Sequence, residues 1–212
     1  MAITTWTELK ASVADFADRP DLTSQIIDFI TLAEARLNDM LLLKDMEQED
    51  PLTAVINQNY IALPAGFVSP IAFWLVISTQ RFQLEPALPQ ELMYSPSSTQ
   101  PLYFAIDGVN IRFDCPADQA YSCKFRYIKQ SNLGASVATN YLLTKRPDIY
   151  LAGSLVELSR YTRDVDLFNT WEPRFLKACA DLKASDNRNR AIVPLRTDIP
   201  GTDRSASIIR GY

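Results

Sequence analysis

A helix that begins at Pro147 divides the chain and restricts how the rest can fold. Proline disfavours helical backbone at the preceding residue, Arg146, and its own φ suits the first position of a helix. Asp148 follows in the first turn, where the positive end of the helix dipole favours a carboxylate. Apolar residues then recur at helical spacing through Leu158, and small residues at Ala152–Ser154 allow another helix to approach closely.

Two more helices are predicted at the start of the chain. Thr5 and Glu8 fit a capping box, and the apolar residues after them recur at steps of three and four. The second helix has an apolar stripe from Ile26 to Leu41, and we expect Glu34 and Asn38 on its solvated face. Because the loop between the two helices is short, they should form an antiparallel pair.

Between these helices and Pro147, apolar residues recur at every second position, which is typical of strands. We expect a hairpin at Asn57–Asn59, a strand at Ile71–Ile77 and a further strand at Tyr121–Tyr127. Another hairpin is predicted at Asp107-Gly108, since this dipeptide suits a type I′ turn, with Ile106 paired to Val109. The strands should form a small antiparallel sheet with one buried face.

The last helix is predicted around Trp171–Leu182, and helical periodicity is lost after Ser185. The fold class we expect is α+β. It comprises two antiparallel helix pairs, four main helices in all, with a small antiparallel β-sheet insert between the second and third helices. The predicted division is one domain over 1–185, with helices in 1–44 and 140–185 and the β insert in 46–130, and an extended C-terminal tail over 186–212.

Composition excludes several classes of protein. The 212 residues suit one domain, and 47% hydrophobic with 22% charged residues is ordinary for a globular chain. The net charge is −4, and residues 1–50 alone carry −7, which argues against sequence-independent DNA binding. No run approaches the roughly 18 apolar residues of a membrane helix, and the N-terminus lacks the pattern of a signal peptide. We expect no membrane partner.

Few catalytic arrangements fit this chain. It has no histidine, which removes the Ser-His-Asp, Cys-His and HExxH classes, and it has no phosphate-binding glycine loop. The three cysteines lack metal-type spacing, so we interpret them as small buried thiols. A pair of carboxylates, Glu157 with Asp164 or Asp166, leaves glycan hydrolysis open. We expect no enzyme activity, no cofactor and no metal.

Five segments of the chain together carry a family pattern: Phe29–Leu37, Leu63–Phe67, Ile106–Ile111, Thr139–Leu155 and the tryptophan-led helix Trp171–Leu182. In this order they resemble the head-to-tail adaptor, or connector, proteins of tailed bacteriophages. The resemblance spans residues 3 to about 187, and Asn38-Asp39 departs from it where a basic residue is expected.

The resemblance implies a structural virion protein with no catalysis. Such proteins form a ring, typically of twelve copies, beneath the portal, where they extend the DNA channel and present a surface to the tail. The partners it implies are further copies of the chain, the portal, tail or nozzle proteins and the passing genomic DNA. The location it implies is the virion neck, with assembly in the host cytoplasm. Two alternatives stay open: a virion-associated, carboxylate-only cell-wall hydrolase and a free-standing oligomeric binding module.

Two groups of residues are candidate binding sites. The tail carries a local charge of +2 and an apolar end, so we expect it to dock on the portal or a neighbouring subunit. The polar face of the sheet is a candidate lateral contact in a ring. The tail candidates are Arg188, Arg190, Arg196, Arg204, Ile208, Ile209, Arg210 and Tyr212, and the lateral candidates are Asn110, Arg112, Lys124 and Arg126.

Overall fold

The computed structural model describes residues 3–190, which contain five α-helices and seven β-strands in three consecutive blocks. Two helices come first, the seven strands follow, and three helices complete this part of the chain. The helices are α1 Trp6–Ala17, α2 Ile26–Met40, α3 Tyr141–Lys145, α4 Pro147–Thr162 and α5 Val165–Arg190. Short 3-10 helices lie at Pro20–Leu22 and Lys44–Met46.

All seven strands belong to one mixed sheet, in the order β1-β7-β3-β4-β5-β6-β2. The pairings are antiparallel except that between β4 and β5. The edge strands β1 and β2 lie close to each other, so the sheet nearly closes on itself. The strands are β1 Glu47–Ala54, β2 Tyr60–Ala62, β3 Phe67–Ile77, β4 Gln80–Pro86, β5 Tyr103–Asp107, β6 Asn110–Phe113 and β7 Tyr121–Lys129.

The predicted fold of four main helices with a small antiparallel insert is therefore wrong. The sheet has seven strands, is mixed and nearly closed, and five helices accompany it in the described residues. Most of strand β1 was missed because it is polar, with Gln48 and Asp50 on the inner side where an alternating pattern would have apolar residues. Asp50 is accommodated there because the Tyr127 hydroxyl donates a 2.6 Å hydrogen bond to its carboxylate.

The hairpin predicted at Asn57–Asn59 is also wrong. Its predicted arms, Thr53–Ile56 and Tyr60–Leu63, overlap the end of β1 and the whole of β2, but β1 pairs with β7 and β2 pairs with β6. The partners of β1 and β2 come 48 or more residues later in the chain, so no local turn signal identifies them.

The hairpin around Gly108 forms between β5 and β6 with a different register from the predicted one. Ile106 pairs with Ile111, and the two-residue loop is Gly108-Val109 rather than Asp107-Gly108. Gly108 has a φ of +59° at the first loop position, which is the position where a type II′ turn requires glycine. The partner of Ile106 is shifted by two residues from the predicted one, and side chains of a strand alternate between its two faces. Ile106 and Ile111 therefore still share the inner face, while Val109 lies in the turn and is 76% exposed.

The predicted starts of α1 and α4 are confirmed. At α1, the Glu8 amide donates to the Thr5 hydroxyl at 3.3 Å and the Thr5 amide donates to the Glu8 carboxylate at 3.0 Å. Helix α4 begins with Pro147 and has Asp148 in its first turn. Two local signals that act within a few residues thus determine both helix starts.

Helix α4 lies at the centre of the helical layer. It packs against α1, α2 and α5, and ten of its residues are buried. Gly153 allows the close approach, since a Cβ there would lie 3.0 Å from the Phe175 ring of α5 and 3.1 Å from the Ala33 Cβ of α2. The small-residue segment thus permits close helix packing, as the sequence predicts.

Two separate hydrophobic cores result. One joins all five helices, and the other fills the inner face of the sheet with aromatic side chains around Phe73, Phe113 and Phe125. Each core is contributed by its own block of the chain, so the contact between the blocks has to be made by other residues.

Helix α5 extends to Arg190, so residues 186–190 are helical rather than part of an extended tail. Asp186 is 7% exposed, and its carboxylate accepts a hydrogen bond from the Lys44 amide at 3.1 Å. This contact joins the last turns of α5 to the segment after α2. The rest of the predicted tail, residues 191–212, lies outside the described residues.

Candidate functional site

The helical layer and the sheet meet at five hydrogen-bonded side chains, which we term the junction cluster: Glu34, Asn38, Ser131, Asn140 and Tyr150. Glu34 and Asn38 belong to α2, Tyr150 belongs to α4, and Ser131 follows the last residue of β7. The Tyr150 hydroxyl donates to the Glu34 carboxylate at 2.8 Å, and the Asn140 amide donates to the Tyr150 oxygen at 2.7 Å. The cluster therefore fixes the point at which the chain passes from the sheet to the helices.

Ser131 and Asn140 each make two kinds of contact within the cluster. The main chain of Ser131 binds the Asn38 side chain twice, with its N–H donating at 2.8 Å and its carbonyl accepting at 3.0 Å. Asn140 caps α3, because its oxygen accepts from the Leu143 amide at 2.8 Å, and its Nδ2 also donates to the Ser131 hydroxyl at 2.9 Å. One asparagine thus joins a helix cap to the interior hydrogen bonds.

Burial governs the ionisation of the junction cluster. Loss of solvent raises the pKa of the Glu34 carboxyl, and the Tyr150 hydroxyl opposes this to a lesser extent. Burial and then the nearby Glu34 carboxyl raise the pKa of the Tyr150 phenol. The phenol therefore remains a hydrogen-bond donor, which keeps the Glu34 carboxyl partnered.

The expectation that Glu34 and Asn38 face solvent is wrong. Glu34 is 9% exposed, and Asn38 is half-buried against Ser131. A signal was present, since Ile30, Glu34 and Asn38 are four residues apart and so form one row along α2 that continues its buried face. Their polar character is compatible with burial only because Tyr150 and Ser131 supply hydrogen-bond partners.

A second polar contact joins α2 to α4 and α5 at the surface of the helical layer. Arg36 donates to both oxygens of Glu172, with one contact at 2.9 Å, and lies 3.8 Å from Glu157. Its guanidinium also lies 4.8 Å from the centre of the Phe175 ring. The hydrogen bond from Arg36 lowers the pKa of the Glu172 carboxyl, so this ion pair is present at neutral pH.

The carboxylates considered for glycan hydrolysis have structural contacts. Glu157 accepts a hydrogen bond from Arg160 at 2.8 Å and lies near Arg36, and Asp164 accepts from the Leu167 amide at 2.9 Å at the start of α5. Asp166 is exposed in the first turn of α5. Glu157 thus links α4 to α2, and Asp164 caps the start of α5.

The four lateral candidates lie on the outer face of the sheet but not side by side. Asn110 and Arg112 are on β6, whereas Lys124 and Arg126 are on β7, with β3, β4 and β5 between those strands. Arg112 pairs with Asp107 at 3.0 Å within the same hairpin.

Residues of β7 also have acidic partners within the subunit. Arg126 donates to Glu47 at 3.1 Å, and the Lys124 ammonium lies 4.0 Å from Glu49. Arg81 of β4 donates to Glu49 at 3.2 Å. The outer face over β1, β7 and β4 is therefore an ion-pair network rather than a purely basic surface.

Of the tail candidates, Arg188 is exposed and lies on α5, and Arg190 is the last residue of that helix. Arg196, Arg204, Ile208, Ile209, Arg210 and Tyr212 lie outside the described residues.

Within residues 3–190, no group of side chains has an arrangement that could hold a metal ion. Over the same range, no helix is long and apolar enough to cross a bilayer. The interpretation of the cysteines is confirmed: Cys115, Cys123 and Cys179 are buried and unpaired, and burial raises the pKa of the Cys123 and Cys179 thiols to about 11.

Comparison with known proteins agrees with the adaptor resemblance. No curated protein matches this chain. Residues 4–198 match the family model described as SU10 adaptor protein. This match confirms the resemblance to phage adaptors and supports a structural role among the proteins of a virion. Because it covers most of the 212 residues, the chain belongs to the SU10 adaptor protein family.

Proposed function

We propose that this protein is a head-to-tail adaptor that forms a ring, typically of twelve copies, beneath the phage portal. In this position it extends the DNA channel and connects to tail or nozzle proteins, in the neck of the virion. The observation that carries the proposal is the family match over residues 4–198. The protein acts by binding geometry, without a cofactor or a catalytic step.

The junction cluster supports this role. An adaptor must hold its contact surfaces in a constant relation, and here Ser131, just after β7, is tied to the helical layer by hydrogen bonds to Asn38 and Asn140. Networks of satisfied buried polar groups are rigid and specify one arrangement. A fixed orientation of the sheet relative to the helices suits a subunit that repeats around a channel.

Ring closure requires two different, complementary surfaces on each subunit. The outer face of the sheet offers two separated polar areas, one with Asn110 and Arg112 on β6 and one with Lys124 and Arg126 on β7. We place the lateral contacts there, with ion pairs exchanged between neighbours. Arg112 and Asp107 are both exposed, so this pair is available to a second subunit.

We further propose that the C-terminal segment from Arg188 to Tyr212 docks on the portal or on a neighbouring subunit. Arginines along it would bind carboxylates bidentately, and Ile208, Ile209 and Tyr212 would fill apolar pockets. Assembly takes place in the host cytoplasm. The acidic net charge of −4 suits a channel that lets DNA pass, because a basic lining would retain phosphates.

Native mass spectrometry of the full-length chain, with and without portal protein, tests the proposal. We expect portal to bind a ring of about twelve copies, following the family resemblance and closed ring symmetry. Failure to associate with the portal of the same phage would contradict the adaptor role. A stable ring that forms alone and ignores portal would favour the free-standing oligomeric module.

The two binding surfaces can be tested separately. Truncation after Arg190 keeps Asp186 and its contact to Lys44, so it removes most of the docking residues and leaves this described contact in place. We expect this truncation to abolish portal binding, and unchanged binding would exclude the docking role. Replacing Arg112 with Glu should weaken ring formation, with Lys177→Glu on the exposed side of α5 as the control.

The hydrolase alternative has a direct test. We expect no turnover of purified peptidoglycan by the full-length chain. If turnover occurred and Glu157→Gln abolished it while the fold remained, the hydrolase assignment would replace ours.

A further inference from the structure

A groove of about 190 Å³ opens beside the junction cluster. Its floor is apolar, formed by Leu37, Leu41, Leu43 and Leu142, and Asp45 and Tyr141 lie on its rim. Small-molecule sites commonly measure about 300–1,000 Å³, so this groove better suits a few side chains of a peptide.

The groove continues towards the end of α5. A second depression shares Leu43, Asp45 and Tyr141 with it and is lined on the other side by Ser185 and Asp186. The Asp186 carboxylate accepts a hydrogen bond from the Lys44 amide, so the last turns of α5 are held next to Leu43. A path along the surface therefore leads from the end of the last helix into the groove.

The chain itself supplies a segment of matching chemistry. Twenty-two residues follow Arg190, and they end in Ile208-Ile209-Arg210-Gly211-Tyr212. At roughly 3.3 Å per extended residue, this length is far more than is needed to reach a groove beside the same helix. Apolar side chains flank one arginine, while the groove has an apolar floor with Asp45 on its rim.

Charge favours the same occupant. The charged residues that line the groove are Asp45, Glu47 and Lys129, which together carry a net charge of −1. The 22 residues after Arg190 carry three arginines and two aspartates, a net charge of +1. Attraction between the segment and this part of the surface would raise its local concentration at the groove.

We infer that the groove beside Leu43 binds the C-terminal segment Ile208–Tyr212 of the same chain in the free subunit. Ile208 and Ile209 occupy the apolar floor, and Arg210 pairs with Asp45 at the rim. A partner that captures the segment has to compete with the groove, so docking elsewhere releases it. This inference concerns the isolated subunit and does not depend on the adaptor role.

Disulfide trapping in the full-length chain tests it. Tyr212→Cys is combined with Asn132→Cys on the groove rim or, as the matched control, with Ser97→Cys in the connection between β4 and β5; Asn132 and Ser97 are both exposed. The native cysteines are buried, so they will not compete. Mild oxidation at low protein concentration, followed by mass mapping, gives the rate of each disulfide.

We expect the intramolecular disulfide between positions 132 and 212 to form at least about tenfold faster than the control, because docking raises the effective concentration. Adding Ile209→Asp should remove the difference in rate between the two pairs, and this substitution leaves every described residue unchanged. Equal rates for the two pairs would overturn the inference. Disulfides formed only between molecules would also overturn it and would assign the groove to a second copy. Portal binding is measured separately, so failure of this inference is distinguishable from failure of the adaptor proposal.

Discussion

The Tyr150 hydroxyl and the Glu34 carboxylate, 116 residues apart in the chain, form a 2.8 Å hydrogen bond in the interior. The bond joins the first helical block to the second, and the entire sheet lies between them in sequence. Asn140 completes the chain of donors by binding the Tyr150 oxygen at 2.7 Å. This small set of polar atoms thus closes a loop that contains the entire sheet.

Replacing Tyr150 with Phe should lower the free energy of unfolding by roughly 1–3 kcal/mol, since it leaves Glu34 without its hydroxyl donor in the interior. Urea denaturation measures the change. The control is Tyr141→Phe, whose hydroxyl is on the surface beside Lys145 and should change stability by less than about 0.5 kcal/mol. Equal effects of the two substitutions would show that the buried bond does not stabilise the fold.

The pKa of Glu34 predicts a pH dependence with a definite sign. Burial raises its pKa in the folded state, so the folded protein binds the proton more tightly than the unfolded chain does. Its contribution to stability is therefore complete below the unfolded pKa of about 4.3 and is lost as the pH rises through the folded value. Gln does not ionise and still offers an oxygen to Tyr150, so Glu34→Gln removes this loss.

The stability of Glu34→Gln relative to the natural chain should therefore increase between about pH 4 and pH 7. Groups with lowered pKa, such as Glu172, act in both proteins and cancel in the comparison. Glu91→Gln, at an exposed carboxyl, serves as the control and should give a flat difference. A flat difference for Glu34→Gln as well would refute the burial argument.

Gly153→Val should destabilise the protein by roughly 1–3 kcal/mol or more through overpacking. A Cβ at this position already lies 3.0 Å from Phe175 and 3.1 Å from Ala33, and valine adds two methyl groups. Gly134→Val is the matched control, because nothing lies within 4 Å of a Cβ there. Thermal unfolding of the two variants should differ clearly, and equal midpoints would mean that α2 and α5 can separate without cost.

Leu155→Ala should cost roughly 2–5 kcal/mol, the usual range for truncating a fully buried leucine. Leu155 lies in α4 at the centre of the helical core, with no exposed surface. Leu176→Ala on α5 is the control, since that side chain is 42% exposed. If the two variants had the same denaturation midpoint, the placement of Leu155 and α4 at the centre of the helical core would be wrong.

The sequence alone determined the features that depend on a few neighbouring residues. Thr5 with Glu8 and Pro147 with Asp148 identified the starts of α1 and α4, because capping and the φ of proline act within one turn. Alternation identified which side chains of β7 face inward, since successive residues of a strand point to opposite sides. The family resemblance also came from local segments.

Only the tertiary structure decided which strands pair and which polar residues are buried. Strand β1 pairs with β7 and strand β2 pairs with β6, both distant in sequence, and no neighbouring residue encodes that choice. Glutamate is usually a surface residue. Glu34 is buried because Tyr150, which lies beyond the whole sheet in the sequence, donates a hydrogen bond to it. Pairing and burial depend on residues far apart in sequence, so their free energy is gained only when the complete fold brings them together.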